Sequence, residues 1–168
     1  MSIDFSLAKC QTHSNKKLFG LCDDPSPARN PAYIDEKDGK KWIAVVVNES
    51  DYNTTFTAID NCIETKRTDG SMDNRCDGVL TFNSSVIFVE LKERSAIGNA
   101  WVKDAEVQLK ASISYFKKTE QAENFTAKKA YIANSERPKF KESQARRMEQ
   151  FQRDTEYVLR IKNRIILQ

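Results

Sequence analysis

Short apolar runs alternate with helical patterns along the first two thirds of the chain. Residues 42–47 form an almost uninterrupted β-branched run, which predicts a strand buried on both faces. A short helix is predicted over residues 53–62, because apolar positions recur there at helical spacing behind an asparagine cap. Two further apolar runs predict strands over residues 76–82 and 86–93, joined by an Asn-Ser turn.

The remaining chain continues the alternation of helices and strands. An apolar stripe predicts a long helix over residues 99–118, and a strand follows at 130–133. A basic amphipathic helix is predicted at 140–153, and residues 157–161 begin a final strand or hairpin. This order predicts an α/β fold with a mixed central sheet flanked by helices.

The N-terminal region lacks such periodicity. Residues 1–40 contain turn-forming pairs of Asp, Asn and Pro, and we expect them to be irregular. A chain of 168 residues is bounded to one domain. We therefore expect residues 1–40 to be an extension packed on a core domain of residues 41–168.

Composition narrows the class of protein. Hydrophobic residues make up 39 % and charged residues 30 %, which is typical of a soluble globular protein. No apolar run approaches the roughly 20 residues of a membrane span, and the start lacks the order of a signal peptide. We expect a cytoplasmic protein without a membrane partner.

The charge is distributed unevenly. Residues 1–109 carry 13 Lys and Arg against 17 Asp and Glu, whereas residues 110–168 carry 14 against 7. The net charges are therefore −4 and +7. Such asymmetry suits an acidic site at one place and a surface for a polyanion at another. The alternative is two solvated helices that happen to be rich in lysine.

The cysteines and the single histidine exclude several chemistries. Cys10, Cys22, Cys62 and Cys76 fit no small disulfide scaffold, so we expect ordinary reduced thiols. A structural zinc site built on Cys10, His13, Cys22 and one later cysteine is the less favoured alternative. One histidine cannot build a His-rich metal centre, and it leaves an acyl-transfer or thiol enzyme without a credible base.

The predicted hairpin gathers charged residues at one end. If it closes symmetrically about its Asn-Ser turn, Asp77 faces Glu90, and their Cβ atoms lie roughly 5 Å apart. Lys92 shares that face because side chains alternate along a strand. An odd-length turn would change the register and separate them.

Two carboxylates this close repel each other unless a cation neutralises them. Lys92 is one candidate cation, and Mg²⁺ is another, since it binds one or two carboxylates together with waters and substrate phosphate. The alternative is a solvated cross-strand salt bridge at a sheet edge. The apolar residues on both faces of these strands favour the functional interpretation, because charges in central strands are costly.

The pattern of Asp77 at the start of one strand and Glu90-Leu91-Lys92 at the end of the next resembles the PD-(D/E)xK nuclease superfamily. This superfamily includes restriction-endonuclease-like and Holliday-junction-resolvase-like proteins. The resemblance covers residues 76–134 and implies a restriction-endonuclease-like core and a phosphodiesterase that depends on Mg²⁺ or Mn²⁺. It further implies that Asp77, Glu90 and the Leu91 backbone carbonyl hold the metal and that Lys92 serves catalysis.

Other residues match this superfamily more loosely. Gln108, on the following helix, matches a glutamine that many members place near the site. Members often add an acidic residue from the first core helix, and Glu64 is our candidate, with Asp60 second. Cys76 occupies the position of the motif's proline, which many members also lack. An exposed charge for Glu64 and a boundary position for Gln108 are the plain structural alternatives.

The resemblance implies a nucleic-acid substrate, and DNA is the expected one. Basic residues in the second half are candidate phosphate contacts: Lys117, Lys118, Lys128, Lys129, Lys139, Lys141, Arg146 and Arg147. The short chain favours a structure-selective nuclease or the cutting subunit of a repair or phage-defence assembly. A homodimer would allow both strands to be cut. The alternative function is a non-catalytic binding or assembly subunit that retains the fold.

Overall fold

The computed structural model describes residues 3–25, 27–93, 99–136 and 143–168. In chain order its elements are β1 (Gln11–Ser14), β2 (Leu18–Cys22), β3 (Tyr33–Asp35), β4 (Ala44–Val47), β5 (Thr54–Ala58), β6 (Gly78–Phe82), β7 (Ser85–Lys92), α1 (Ala100–Lys117), β8 (Ala127–Asn134), α2 (Ala145–Thr155), β9 (Val158–Ile161) and β10 (Arg164–Ile166). Short 3₁₀ turns span Ala8–Cys10, Gly39–Lys41 and Glu120–Asn124.

The strands form two sheets. The six-stranded sheet has the order β1-β5-β6-β7-β8-β9, and the four-stranded sheet has the order β10-β4-β2-β3. In the larger sheet, β5, β6 and β7 pair antiparallel, whereas β7, β8 and β9 pair parallel. This mixed sheet confirms the predicted α/β class, and the endonuclease-like core remains a prediction.

The six-stranded sheet is the middle of three layers. Side chains on one of its faces, such as Val79 and Phe88, pack with α1 and α2. Side chains on its other face, such as Leu80 and Val89, pack with the four-stranded sheet. The expectation of helices flanking the sheet is therefore wrong in one respect: both helices of the described residues lie on the same face, and a second sheet covers the other.

The register of the β6–β7 hairpin agrees with the prediction. Phe82 pairs with Ser85 across the two-residue turn, and Gly78 pairs with Val89. Asn83 adopts a left-handed backbone conformation (φ 48°), which asparagine tolerates in such turns. The even turn length keeps Asp77 and Glu90 in opposition where the ladder ends.

The predicted helix at residues 53–62 is wrong, because the chain there forms strand β5. Thr54, Phe56 and Thr57 are buried, and the strand pairs with β1 and β6 on its two sides. The apolar residues at positions 56, 59 and 63 have helical spacing in the sequence. They do not share one element, because β5 ends at Ala58, between the first and the second of them. Phe56 packs toward the four-stranded sheet, whereas Ile59 and Ile63 pack toward the helices.

The β-branched run at residues 42–47 was predicted to be buried on both faces, and this is wrong. Only alternate residues of β4 are buried, because β4 belongs to the outer sheet and its other face is open. Residues 157–161 are predicted to begin a strand or hairpin, and the strand is confirmed as β9. β9 joins the six-stranded sheet, and β10 joins the outer sheet by pairing in parallel with β4.

The expectation that residues 1–40 are irregular is wrong in part, because the described portion of this range contains three strands. β1 forms an edge of the six-stranded sheet, and β2 and β3 pair with each other in the outer sheet. The long helix and the strand after it confirm the predictions closely, as α1 and β8. The second helix is described from Ala145, and residues 140–142 of its predicted range lie outside the described residues.

Two of the cysteines are cross-linked. Cys10 and Cys62 form a disulfide, so the expectation of reduced thiols is wrong for this pair. Cys22 and Cys76 are free and buried, in agreement with that expectation. The alternative zinc site fails at Cys10, whose sulfur is bonded to Cys62. Within the described residues, no helix has the length and apolarity to cross a membrane.

Candidate active site

The candidate site lies where β6 begins and β7 ends. The backbone N–H of Asp77 donates to Glu90 Oε1 at 3.1 Å, and the backbone N–H of Leu91 donates to Asp77 Oδ2 at 2.6 Å. Asp77 is 7 % exposed and Glu90 3 % exposed. Each carboxylate therefore accepts a backbone hydrogen bond from the strand that carries the other.

Lys92 and Gln108 complete the group. Lys92 Nζ lies 2.9 Å from Glu90 Oε2 and donates to Gln108 Oε1 at 3.1 Å. The Lys92 side chain is only 10 % exposed, so this cation is withdrawn from water. Gln108 reaches the strand ends from α1, and a second link holds this helix to β6: the Cys76 backbone N–H donates to the buried Ser112 hydroxyl at 2.9 Å. Asp77, Glu90, Lys92 and Gln108 are called the candidate centre below.

Burial dominates the electrostatics of the carboxylate pair. Desolvation raises the pKa of Asp77 well above its ordinary value, and the neighbouring Glu90 charge raises it further. Desolvation also raises the pKa of Glu90, while Lys92 and the hydrogen bonds from Asp77 act in the opposite direction. One buried ammonium thus faces two buried carboxyls, and a further cation would stabilise the doubly ionised pair.

Sequence reasoning missed Asp23. This residue follows β2 of the outer sheet, and its carboxyl lies close enough to that of Asp77 for the two charges to interact. Desolvation raises the pKa of Asp23 to about 7, with further contributions from the charges of Asp77 and Asp60. Asp23 stands in an Asp-Asp-Pro turn, so its sequence context indicates only a loop. Only the packing of the two sheets brings it to β6.

The structure separates the two candidates for an additional acid. Glu64 is 73 % exposed and lies 3.4 Å from Lys66, so it does not join the candidate centre. It is an exposed charge, which was the structural alternative for this residue. Asp60 follows β5, adjacent to the start of β6, and its charge raises the pKa of Asp77. Asp60 also lies 3.2 Å from Arg75, which partly neutralises it.

The basic residues predicted to contact phosphate lie at several different places in the fold. Lys128 and Lys129 pair in register with Val86 and Ile87, whereas Glu90 pairs with Ile132. At about 3.3 Å per residue, these lysines lie roughly 10–13 Å along β8 from the level of the candidate centre. Lys117 and Lys118 lie at the C-terminal end of α1. The N-terminal end of this helix is the one near the candidate centre's edge of the sheet. Lys139 and Lys141 lie outside the described residues.

Arg146 and Arg147 lie in the first turn of α2. Arg147 Nη1 is 3.3 Å from Glu106 Oε1 on α1, and Arg146 is exposed. They lie on the flank of α1 opposite Gln108, and their role in binding stays a prediction.

The donors at the candidate centre fit a hard divalent cation. The Asp77 and Glu90 carboxylates supply oxygen ligands, and a strand residue points its C=O and N–H to the same edge, so the Leu91 carbonyl faces β6. Mg²⁺ needs no more than one or two protein carboxylates beside waters. The described residues contain no group of three or more His, Cys, Asp or Glu arranged to hold a metal.

No family model, curated protein or solved structure matches this chain.

Proposed function

We propose that this protein is a metal-dependent nuclease that hydrolyses phosphodiester bonds, with DNA as its substrate. The observation that carries the proposal is the buried group of two opposed carboxylates and one lysine, Asp77, Glu90 and Lys92, at the end of an otherwise apolar hairpin. Burying three charges in a small domain costs several kcal/mol of stability, and such a cost is typically retained where the charges serve a function. The resemblance to PD-(D/E)xK nucleases assigns that task.

Asp77, Glu90 and the Leu91 carbonyl would hold Mg²⁺ or Mn²⁺. When bound, this ion lowers the pKa of a coordinated water and polarises the phosphodiester. The mutual repulsion of the two carboxylates favours such an ion, because it supplies the positive charge that Lys92 alone does not.

Lys92 has two tasks in this proposal. Its ammonium is held between Glu90 Oε2 and Gln108 Oε1, which leaves one of its three N–H donors for the substrate. That donor can orient the attacking water or stabilise the negative charge that develops on the phosphoryl oxygens. Gln108 acts through Lys92 as a positioning residue, because its amide oxygen fixes the direction of the ammonium.

One candidate centre hydrolyses one bond at a time. Cleavage of both strands of a duplex therefore needs two copies of the chain or two successive events. We propose a homodimer or a larger repair or phage-defence assembly as the working form.

The test is a cleavage assay on supercoiled plasmid, linear duplex and single-stranded DNA, each with Mg²⁺, Mn²⁺ or EDTA. We expect cutting that requires the metal and falls by at least about 100-fold in Lys92→Ala, since loss of one charge-stabilising donor has effects of that size. Lys17→Ala is the matched control, because Lys17 is 69 % exposed and, among the described residues, its ammonium contacts Asp51 and the Glu49 carbonyl.

Absence of cutting by the parent on all three substrates would contradict a nuclease that acts alone. Calorimetric titration with Mg²⁺, compared between the parent and Asp77→Ala, then separates the alternatives. Metal binding that requires Asp77 would indicate a nuclease that lacks its partner or substrate. Loss of both properties would favour the non-catalytic binding or assembly subunit.

A further inference from the structure

A polar groove lies between the two helices. Its volume is about 660 Å³, and residues of α1 and of α2, the latter as far as Arg153 in its last turn, line it. Four of the lining side chains are cations, namely Lys110, Arg146, Arg147 and Arg153. Two carboxylates, Glu106 and Glu149, also line it, and Lys110 is paired with Asp154 at 3.0 Å, so the remaining positive charge of the groove lies on its arginines.

One of these cations is held in place by both walls. Arg147 Nη1 lies 3.3 Å from Glu106 Oε1, and Arg147 Nε donates to Gln144 Oε1 at 3.1 Å. Glu106 is 13 % exposed, so this ion pair is largely shielded from solvent and joins the two helices. A guanidinium fixed in this way loses little side-chain entropy when it binds an anion.

The other arginines are available to a ligand. Arg153 Nη2 donates to Gln150 Oε1 at 3.0 Å on its own helix, which leaves most of its donors uncommitted. Arg146 is exposed, and no ion pair joins it to any acid in the described part of the chain. The groove therefore combines one fixed guanidinium with two that can adapt.

The groove opens at the edge of the sheet that carries the candidate centre. α1 follows β7, which ends at Lys92, and α2 follows β8, whose Asn134 pairs with Lys92 in register. Asn99, immediately before α1, lines the groove. The groove and the candidate centre therefore lie near the same edge of the sheet, on opposite flanks of α1.

We propose that this groove binds the sugar-phosphate backbone of the nucleic-acid substrate and does not read its base sequence. The inference rests on the proposed nuclease function and specifies how the substrate strand is held. Arginines and side-chain amides suit phosphate and sugar oxygens. The residues that line the groove include no aromatic ring on which a base could stack. An acidic protein segment would fit the same charge, and the test below distinguishes it from nucleic acid.

The test measures binding without cleavage. Fluorescence anisotropy with a labelled 30-base-pair duplex and its single strand, in Ca²⁺ or EDTA, gives the affinity at several salt concentrations. The variant is Arg146→Ala/Arg153→Ala, because both side chains are exposed and neither supports the Glu106 ion pair. The control is Lys16→Ala/Lys17→Ala, which removes the same charge next to β1. β1 is the edge strand of the six-stranded sheet on the side opposite β9.

We expect the arginine variant to bind about tenfold or more weakly than the parent at 100 mM salt. We also expect the slope of log affinity against log salt to fall by about 1–2, since each lost phosphate contact removes about 0.9. The control should stay within about twofold of the parent, and two unrelated duplex sequences should bind alike. Cleavage by the arginine variant should need correspondingly more substrate, as a higher KM, whereas Lys92→Ala should bind but not cut.

Several results would overturn the inference. Equal binding by the parent and the arginine variant would remove the groove from the binding surface and leave the nuclease proposal standing. A strong preference for one duplex sequence would contradict backbone recognition. Binding of an acidic peptide with the same arginine dependence and greater affinity than DNA would assign the groove to a protein partner. Failure of the parent to bind or cut any nucleic acid would overturn both proposals.

Discussion

Asp77 and Glu90 concentrate negative charge where little water reaches it. Their strands hold them through backbone hydrogen bonds, so neither side chain can turn away without leaving a buried donor unpaired. Asp23 and Asp60 add charge on the same side. In the folded state without a metal, the negative charges of these carboxylates repel one another, and a bound divalent cation would reduce that repulsion.

Asp77→Asn tests this repulsion through its pH dependence. Both pKa values are raised by folding, so the folded state binds more protons than the unfolded one, and parent stability falls as pH rises above about 4. Asparagine can accept the Leu91 hydrogen bond without charge. In EDTA at pH 8 we expect the variant to melt about 2–4 °C above the parent, equivalent to about 1 kcal/mol, with the gap closing toward pH 4.

Thermal unfolding followed by circular dichroism measures this difference. Asp104→Asn is the control, because Asp104 is exposed on α1 and should leave the melting temperature within about 1 °C. Added Mg²⁺ should raise the melting temperature of the parent but not that of Asp77→Asn. A variant less stable than the parent at pH 8 without metal would show that the pair is not mutually repelled.

At the scale of elements, the outer sheet depends on close contact between a strand and a ring. Gly20 in β2 lies under the indole of Trp42, so that a Cβ at this position would overlap the ring. Trp42 is held there because its Nε1–H donates to Asp35 Oδ2 at 2.8 Å on β3. Since β2 leads directly into Asp23, this contact also bears on the candidate centre.

Gly20→Ala should therefore destabilise the protein by about 1–3 kcal/mol, because the ring must leave its position or the strand must shift. Gly39→Ala is the matched control. The nearest atom to a Cβ at Gly39 is a Trp42 ring carbon at 4.0 Å, and a change within about 0.5 kcal/mol is expected. Urea unfolding measures both variants, and equal stability of the two would refute the contact.

At the scale of the whole molecule, one covalent link joins the N-terminal strand region to the segment after β5. The Cys10–Cys62 disulfide spans 52 residues of sequence. It anchors the turn before β1 beside the helix-facing core, which contains Cys10, Ile59 and Ile63. Disulfides are rare in reducing cytoplasm, and the expected cytoplasmic location stays a prediction.

Reduction of this disulfide should lower the free energy of unfolding by about 2–4 kcal/mol, because a loop of this length restricts the unfolded chain. Denaturant unfolding with and without dithiothreitol measures the change. The double variant Cys10→Ser/Cys62→Ser is the control, since it lacks the cross-link and should not respond to the reductant. An unchanged parent under reducing conditions would mean that the two sulfurs are not bonded in solution.

Much of the candidate site was predictable because it is local. Asp77 and Glu90 are 13 residues apart, and a two-residue turn with alternating side chains determines which positions share a face. Lys92 follows from the same alternation. Gln108 was predicted from the resemblance to the PD-(D/E)xK superfamily, whose members often place a glutamine on the helix after the hairpin. Their roles in catalysis stay predictions.

Tertiary structure alone decided the rest. Residues 53–62 satisfy a helical spacing and a strand equally well, and pairing with β1 and β6 selects the strand. The approach of Asp23 to Asp77 depends on how two sheets stack. Likewise, the Cys10–Cys62 bond requires segments that no local pattern connects. Hairpins and helices are determined by residues that are close in sequence. Contacts between layers depend on how the whole chain packs, and no local sequence pattern indicates which distant segments will meet.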